Sequence, residues 1–198
     1  MNGSLDEVLE QVRACRVCEA YLPLGPRPVV QIGERARIVI VGQAPGTKVH
    51  QSGIPWRDAS GDHLREWMAV DNEQFYDRQS IALVPMGFCY PGAGNGGDAP
   101  PRPECAPLWH PELLGRLAED VLMILVGQYA IKHYLGPRRA KTLTETVRAF
   151  DTYLPRFFPL PHSSWRSKLW MKKNEWFERD VLPALRQTIW NRLNGSSK

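Results

Sequence analysis

The sequence predicts an α/β domain built on a parallel sheet. Two observations carry this. Short, β-branched apolar runs recur at 37–42, 80–85 and 121–127, each closed by glycine or proline (Gly42, Pro85, Gly127). Segments with helical spacing of apolar residues lie between them. Continuous apolar runs suit strands buried on both faces, and strands that alternate with helices imply parallel crossovers. A shorter run, Phe157 to Pro161, reads as a fourth strand, its prolines keeping it near an end.

The remaining elements follow in order. Ser4 and Glu7 form a capping box ahead of Leu5, Val8, Leu9 and Val12, so a first helix is expected to about Cys15. Ser60 is expected to cap a helix carrying Leu64, Trp67 and Met68. Further helices are expected over 111–117, 129–135 and 140–150. A last one should start at Asn174 and run to about Leu193. Three loops leave the carboxyl ends of the strands: 43–59, 86–105 and 162–173. Ligands of open α/β sheets bind there.

With 198 residues, 43% hydrophobic and 23% charged, the chain can bury one core. It shows no internal repeat and no linker, so one domain over 1–198 is expected. The formal charge of +4 suits a polyanionic partner without demonstrating one. No run approaches the ~20 apolar residues of a membrane span, and the first seven residues lack a signal-peptide pattern. A cytoplasmic monomer without membrane contact is the expectation, and a reducing compartment argues against disulfides.

All four cysteines fall into one pattern. Cys15 and Cys18 form a CxxC, 70 residues separate Cys18 from Cys89, and 15 separate Cys89 from Cys105. Four thiolates so arranged suit an iron–sulfur cluster or a zinc ion; spacing alone does not choose. Four unconnected core cysteines are the plainer alternative.

Chemistry-bearing residues cluster in the strand-exit loops. Gly42-Gln43-Ala44-Pro45-Gly46 lets backbone amides approach a ligand, or is an ordinary tight turn. It is not a phosphate loop, since only three residues separate its glycines and Thr47 precedes Lys48. Trp56 can stack on a base or plug the sheet end. In the last loop His162 can stabilise a departing anion. Ser163, Ser164 and Arg166 suit phosphates, and Trp165 suits a wedge beside a base stack. A solvated basic loop is the alternative.

Together these pieces resemble the uracil-DNA glycosylase superfamily, and most closely its iron–sulfur branch, family 4. The cysteine spacing matches that branch. Gly42–Gly46 is similar to the motif GEAPG, Gly53-Ile54-Pro55-Trp56 to G-x-P-F, and His162-Ser163-Ser164 to HPS. The resemblance implies a three-layer sandwich with a four-stranded parallel sheet between helices. It implies monofunctional cleavage of the N-glycosidic bond of uracil or another deaminated base, flipped out of damaged DNA. Gly42, Gln43 and Ala44 would contact the base, Trp56 would stack on it, and His162 would hold its carbonyl. Pro45, Gly46, Ser60, Ser163, Ser164 and Arg166 would meet DNA. Cys15, Cys18, Cys89 and Cys105 would carry a structural 4Fe-4S cluster. The chain departs from the pattern in three places. Pro85 replaces the asparagine that reads the base edge, Thr47-Lys48-Val49-His50 replaces an acidic run, and Ser163 replaces a proline. His50 and Asp58 are then the candidates for orienting water. A damage-binding protein with little activity and a zinc-dependent enzyme acting on a small metabolite are the competing readings.

Overall fold

The computed structural model describes residues 3–195. Its centre is a four-stranded, fully parallel sheet of β1 (Ile38–Val41), β2 (Ile81–Leu83), β5 (Leu122–Val126) and β6 (Phe157–Leu160), in the order β2-β1-β5-β6. The expected fold class is therefore the observed one. Side chains alternate across the pleat and divide the core in two. Val39, Val41, Ala82, Val84, Met123 and Leu125 pack toward α1 (Leu5–Arg13), α5 (Cys105–Leu114) and α6 (Gln128–Leu135). Ile38, Ile40, Leu83, Ile124, Phe158 and Leu160 pack toward α3 (Ala59–Met68) and α9 (Leu182–Asn194). No helix among the described residues is long and apolar enough to cross a membrane.

Several boundaries differ from expectation. The capping box on Ser4 is present, but α1 stops at Arg13, which leaves Cys15 beyond the helix. The N-cap of α3 is Asp58, whose carboxylate accepts from Gly61 N–H at 2.8 Å; Ser60 lies inside the first turn. The helix expected from Pro111 starts at Cys105, with Pro111 interior; Ala106, Trp109 and Leu113 form its buried stripe. The helix expected over 140–150 is α7 (Leu143–Arg148), followed by a 3-10 turn. Asn174 does not start the last helix. Its side chain donates back to the Trp170 carbonyl at 2.8 Å, and it closes α8 (Ser167–Lys173), which forms inside the presumed final loop. A π-helical turn, Phe177–Val181, leads into α9.

The other loops also carry structure. α2 (Thr47–Ser52) lies in the loop after β1, and α4 (Asn72–Tyr76) precedes β2. The glycine-rich loop folds into a hairpin of β3 (Ala93–Gly94) and β4 (Gly97–Asp98), with Ala93 opposite Asp98. Gly96 turns the hairpin at φ 80°, where an L side chain is strained.

Candidate active site and thiol pocket

The chain goes from β1 outward to β2, then crosses back to β5 on the other side of β1. This reversal places a crevice beyond the carboxyl ends of β1 and β5, the position where such sheets bind ligands. A cleft of about 560 Å³, counting solvent at its open side, lies there. Residues 42–46, Trp56, Asp58, Ser60, Pro85, Asp98 and His162 all line it.

Trp56 and His162, 106 positions apart in the chain, thus face one space. Two glycines bring Trp56 there. A Cβ on Gly42 would stand 2.6 Å from Trp56 Cζ2, and one on Gly61 would stand 1.8 Å from the Trp56 carbonyl oxygen. Trp56 itself has φ 57°, unusual for a bulky residue. Its neighbourhood holds it: Tyr76 Oη donates to the Pro55 carbonyl at 3.0 Å, and Arg65 donates to the Trp56 carbonyl at 3.4 Å. Arg65 is itself fixed by Asp62 at 2.6 Å and lies over the Phe75 ring.

His162 follows β6. Its Nδ1 accepts the Ser164 backbone N–H at 3.2 Å, which leaves the ring proton on Nε2. Burial holds the imidazole below its ordinary pKa, and Arg166 adds to this; Asp58 and Asp98 oppose it. The ring is therefore a neutral imidazole that accepts at Nδ1 and donates at Nε2. Ser163, expected at phosphates, is fully buried instead. Its hydroxyl donates to the Ser60 carbonyl at 2.9 Å, and His63 Nδ1–H donates to its carbonyl at 3.2 Å. The serine thereby ties the His162 loop to α3, the helix that also backs Trp56. Ser164 uses its amide on His162 and its carbonyl on Ser167.

Gln43 donates its side-chain amide to the Ala99 carbonyl at 3.1 Å, so it holds the glycine hairpin. The Gly42 and Gln43 carbonyls accept from Met86 and Gly87, closing the loop after β2. Pro45 is buried and Gly46 partly so. His50 does not line the cleft. It sits on α2 beside Tyr90, ring centroids 6.1 Å apart, and burial lowers its pKa. Asp58 lines the cleft with one oxygen committed to capping α3. Beside the cleft, Trp165 is 69% exposed, with the Arg166 guanidinium 5.2 Å from its ring.

Pro85, Val29 and Val49 are buried residues of the cleft lining. The Pro85 carbonyl accepts His110 Nε2–H at 2.9 Å, and Tyr134 donates to the other His110 nitrogen. Burial brings His110 down to about 4. The structural role expected of His110 is the one seen, whereas sequence reasoning missed Asp98 and Gly61. For Gly61 the available signal was a glycine in the first turn of a helix, which costs helix stability unless packing requires it.

A second pocket gathers Cys15, Cys18, Cys89 and Cys105, with Phe88 and Trp109 behind them. All four are free, partly buried thiols. Burial, reinforced by the neighbouring sulfurs, raises Cys89 to about 11 and Cys105 to about 12. Phe88 N–H donates to Cys105 Sγ at 3.3 Å. Among the described residues, no three or more donor side chains close tightly enough for one metal ion.

A parallel sheet with a strand-exit cleft walled by an aromatic ring and an imidazole defines an α/β protein with a candidate ligand site at its strand ends. A model of the uracil DNA glycosylase superfamily matches residues 30–186, and the chain belongs to that superfamily. It is also similar to the type-4 uracil-DNA glycosylase of Archaeoglobus fulgidus, 36% identical over 67 residues. That match spans 33% of each chain, so about a third of the relative's length is covered.

Proposed function

We propose that the protein is a DNA glycosylase that hydrolyses the N-glycosidic bond of uracil or another deaminated base. The observation that carries this is the tautomer of His162. With Nδ1 accepting from Ser164, Nε2–H is free to donate to a base carbonyl opposite the Trp56 ring. Stacking holds a flipped base against Trp56, worth about 1–3 kcal/mol. As the bond to the sugar lengthens, negative charge builds on the base, and the Nε2–H bond strengthens with it. A neutral imidazole can do this without first losing a proton.

DNA would approach over the basic, aromatic face at 165–173. The exposed Trp165 can enter the stack left by the flipped base while Arg166, Lys168 and Lys172 meet phosphates. The four cysteines would hold a 4Fe-4S cluster, which when bound would tie residues 15–18 to the loop between β2 and α5. The support for this is that all four thiols line one pocket. Iron and acid-labile sulfide in the purified protein support this assignment; stoichiometric zinc refutes it.

The activity test uses oligonucleotides carrying uracil, hypoxanthine or xanthine, followed by strand scission at abasic sites. Product from the wild type that drops by about 100-fold or more in His162→Ala is expected. Tight binding without product from any lesion would refute catalysis and leave a damage-binding protein.

A further inference from the structure

Residues 90–103 look like a bare glycine- and proline-rich connection, yet the structure folds their centre into a hairpin and clamps it in place. Gln43 holds the Ala99 carbonyl from the β1 side, and Ala99 N–H donates to the Gly92 carbonyl at 2.8 Å. From the other side, the Arg166 guanidinium lies against Gly97, 3.2 Å from where a Cβ would be. The hairpin ends at Asp98. A Cβ on Gly46 would stand 3.1 Å from Asp98 Oδ2, so the carboxylate occupies space that the absent side chain leaves open. It therefore joins the cleft lining, with Asp58 and His162 near enough to influence its charge.

Its depth in the cleft decides what it can do. The inner end is apolar and closed: Val29 is 3% and Val49 4% exposed, and Pro85 is buried. Asp98 is exposed at the mouth. A base inserted between Trp56 and His162 puts its far edge against the apolar end, and the sugar remains at the mouth. We infer that Asp98 holds the attacking water there and receives its proton; this rests on the glycosylase reading above.

The step balances without another reagent. The C1′–N bond breaks and its electron pair leaves with the base, held by His162 Nε2–H. The water oxygen bonds C1′, one water proton passes to an Asp98 oxygen, and that proton later neutralises the released base. The carboxylate also lies where the sugar becomes oxocarbenium-like, so its negative charge favours the same transition state. Of the two acids in the cleft, Asp58 caps α3, whereas the Asp98 carboxylate makes no hydrogen bond or ion pair among the described residues. Partial desolvation by the cleft walls, reinforced by Asp58, raises the exposed Asp98 above its ordinary pKa, while His162 lowers it; the net rise makes it a stronger base.

The test compares wild type, Asp98→Asn, Asp98→Ala and Asp58→Asn in single-turnover excision of deoxyuridine. Binding to the same strand with a non-hydrolysable 2′-fluoro nucleotide is measured alongside. Both Asp98 variants should lose about 100-fold or more in rate, the range of general-base catalysis, with affinity within about twofold. Asp58→Asn keeps its capping oxygen, and its rate loss should be smaller than that of either Asp98 variant. Asp98 variants within about threefold of wild type overturn the inference but not the glycosylase reading. So does a loss confined to Asp58→Asn, or a rate loss that only follows lost binding. A wild type inert on every lesion overturns both.

Discussion

Replacing Gly42 by alanine should disable the cleft without unfolding the domain. The added Cβ would lie 2.6 Å from Trp56 Cζ2, where carbon atoms rest at about 3.5–4.0 Å. The ring must therefore move by about 1 Å. Its backbone cannot follow, because the Trp56 carbonyl already meets Gly61 and accepts from Arg65. The movement becomes rotation of the ring, and a displacement of about 1 Å can cost roughly 100-fold in rate. Overpacking costs about 1–3 kcal/mol, offset by about 0.4–1 kcal/mol from a stiffer unfolded chain. The net loss lowers Tm by a few degrees, at about 2–4 °C per kcal/mol for a domain of this size. Single-turnover excision, a thermal melt and tryptophan fluorescence read the three effects. Excision within about twofold of wild type would refute the claim that the ring's position governs the reaction.

Other perturbations have equally defined outcomes. His110 is neutral in the fold down to about 4 against 6.5 in the unfolded chain. The unfolded state binds the proton first, so this contribution is complete above pH 6.5 and is lost as pH falls toward about 4, up to about 3 kcal/mol in all. Urea melts across that window should show the decline, and His110→Phe, though less stable at neutral pH, should show a shallower one; equal slopes would contradict the assignment. Arg166→Ala should weaken binding to undamaged DNA and flatten the plot of log affinity against log salt by about 0.7–0.9. An unchanged slope would place Arg166 off the phosphate path.

What the sequence revealed depended on how local each cause was. β1, β2 and β5 were legible because a strand buried on both faces must be apolar throughout, as Ile38 to Val41 and Leu122 to Val126 are. Trp56 and His162 were legible through motif order, and both line the cleft. Helix ends were less so: Asp58 and Ser60 are both good caps, and tertiary contact settled the choice. Pro111 looked like a helix start and proved interior. Ser163 read as a phosphate contact because serine in a basic loop usually is exposed. Its burial arises from Ser60 and His63, 103 and 100 positions away. Asp98 had no local signature, since its place in the cleft depends on the clamp from Gln43. His50 shares a loop with Trp56 but, once α2 forms, faces Tyr90.

The chemistry depends on a neutral His162 whose proton sits on Nε2. Nitrogen NMR of the imidazole at neutral pH reads this directly, with His162→Gln identifying the signal. An unprotonated Nδ1 and a protonated Nε2 are expected, persisting when uracil-containing DNA binds. A doubly protonated ring, or a proton on Nδ1, would mean that Ser164 does not set the tautomer and that the imidazole cannot serve the leaving base as described.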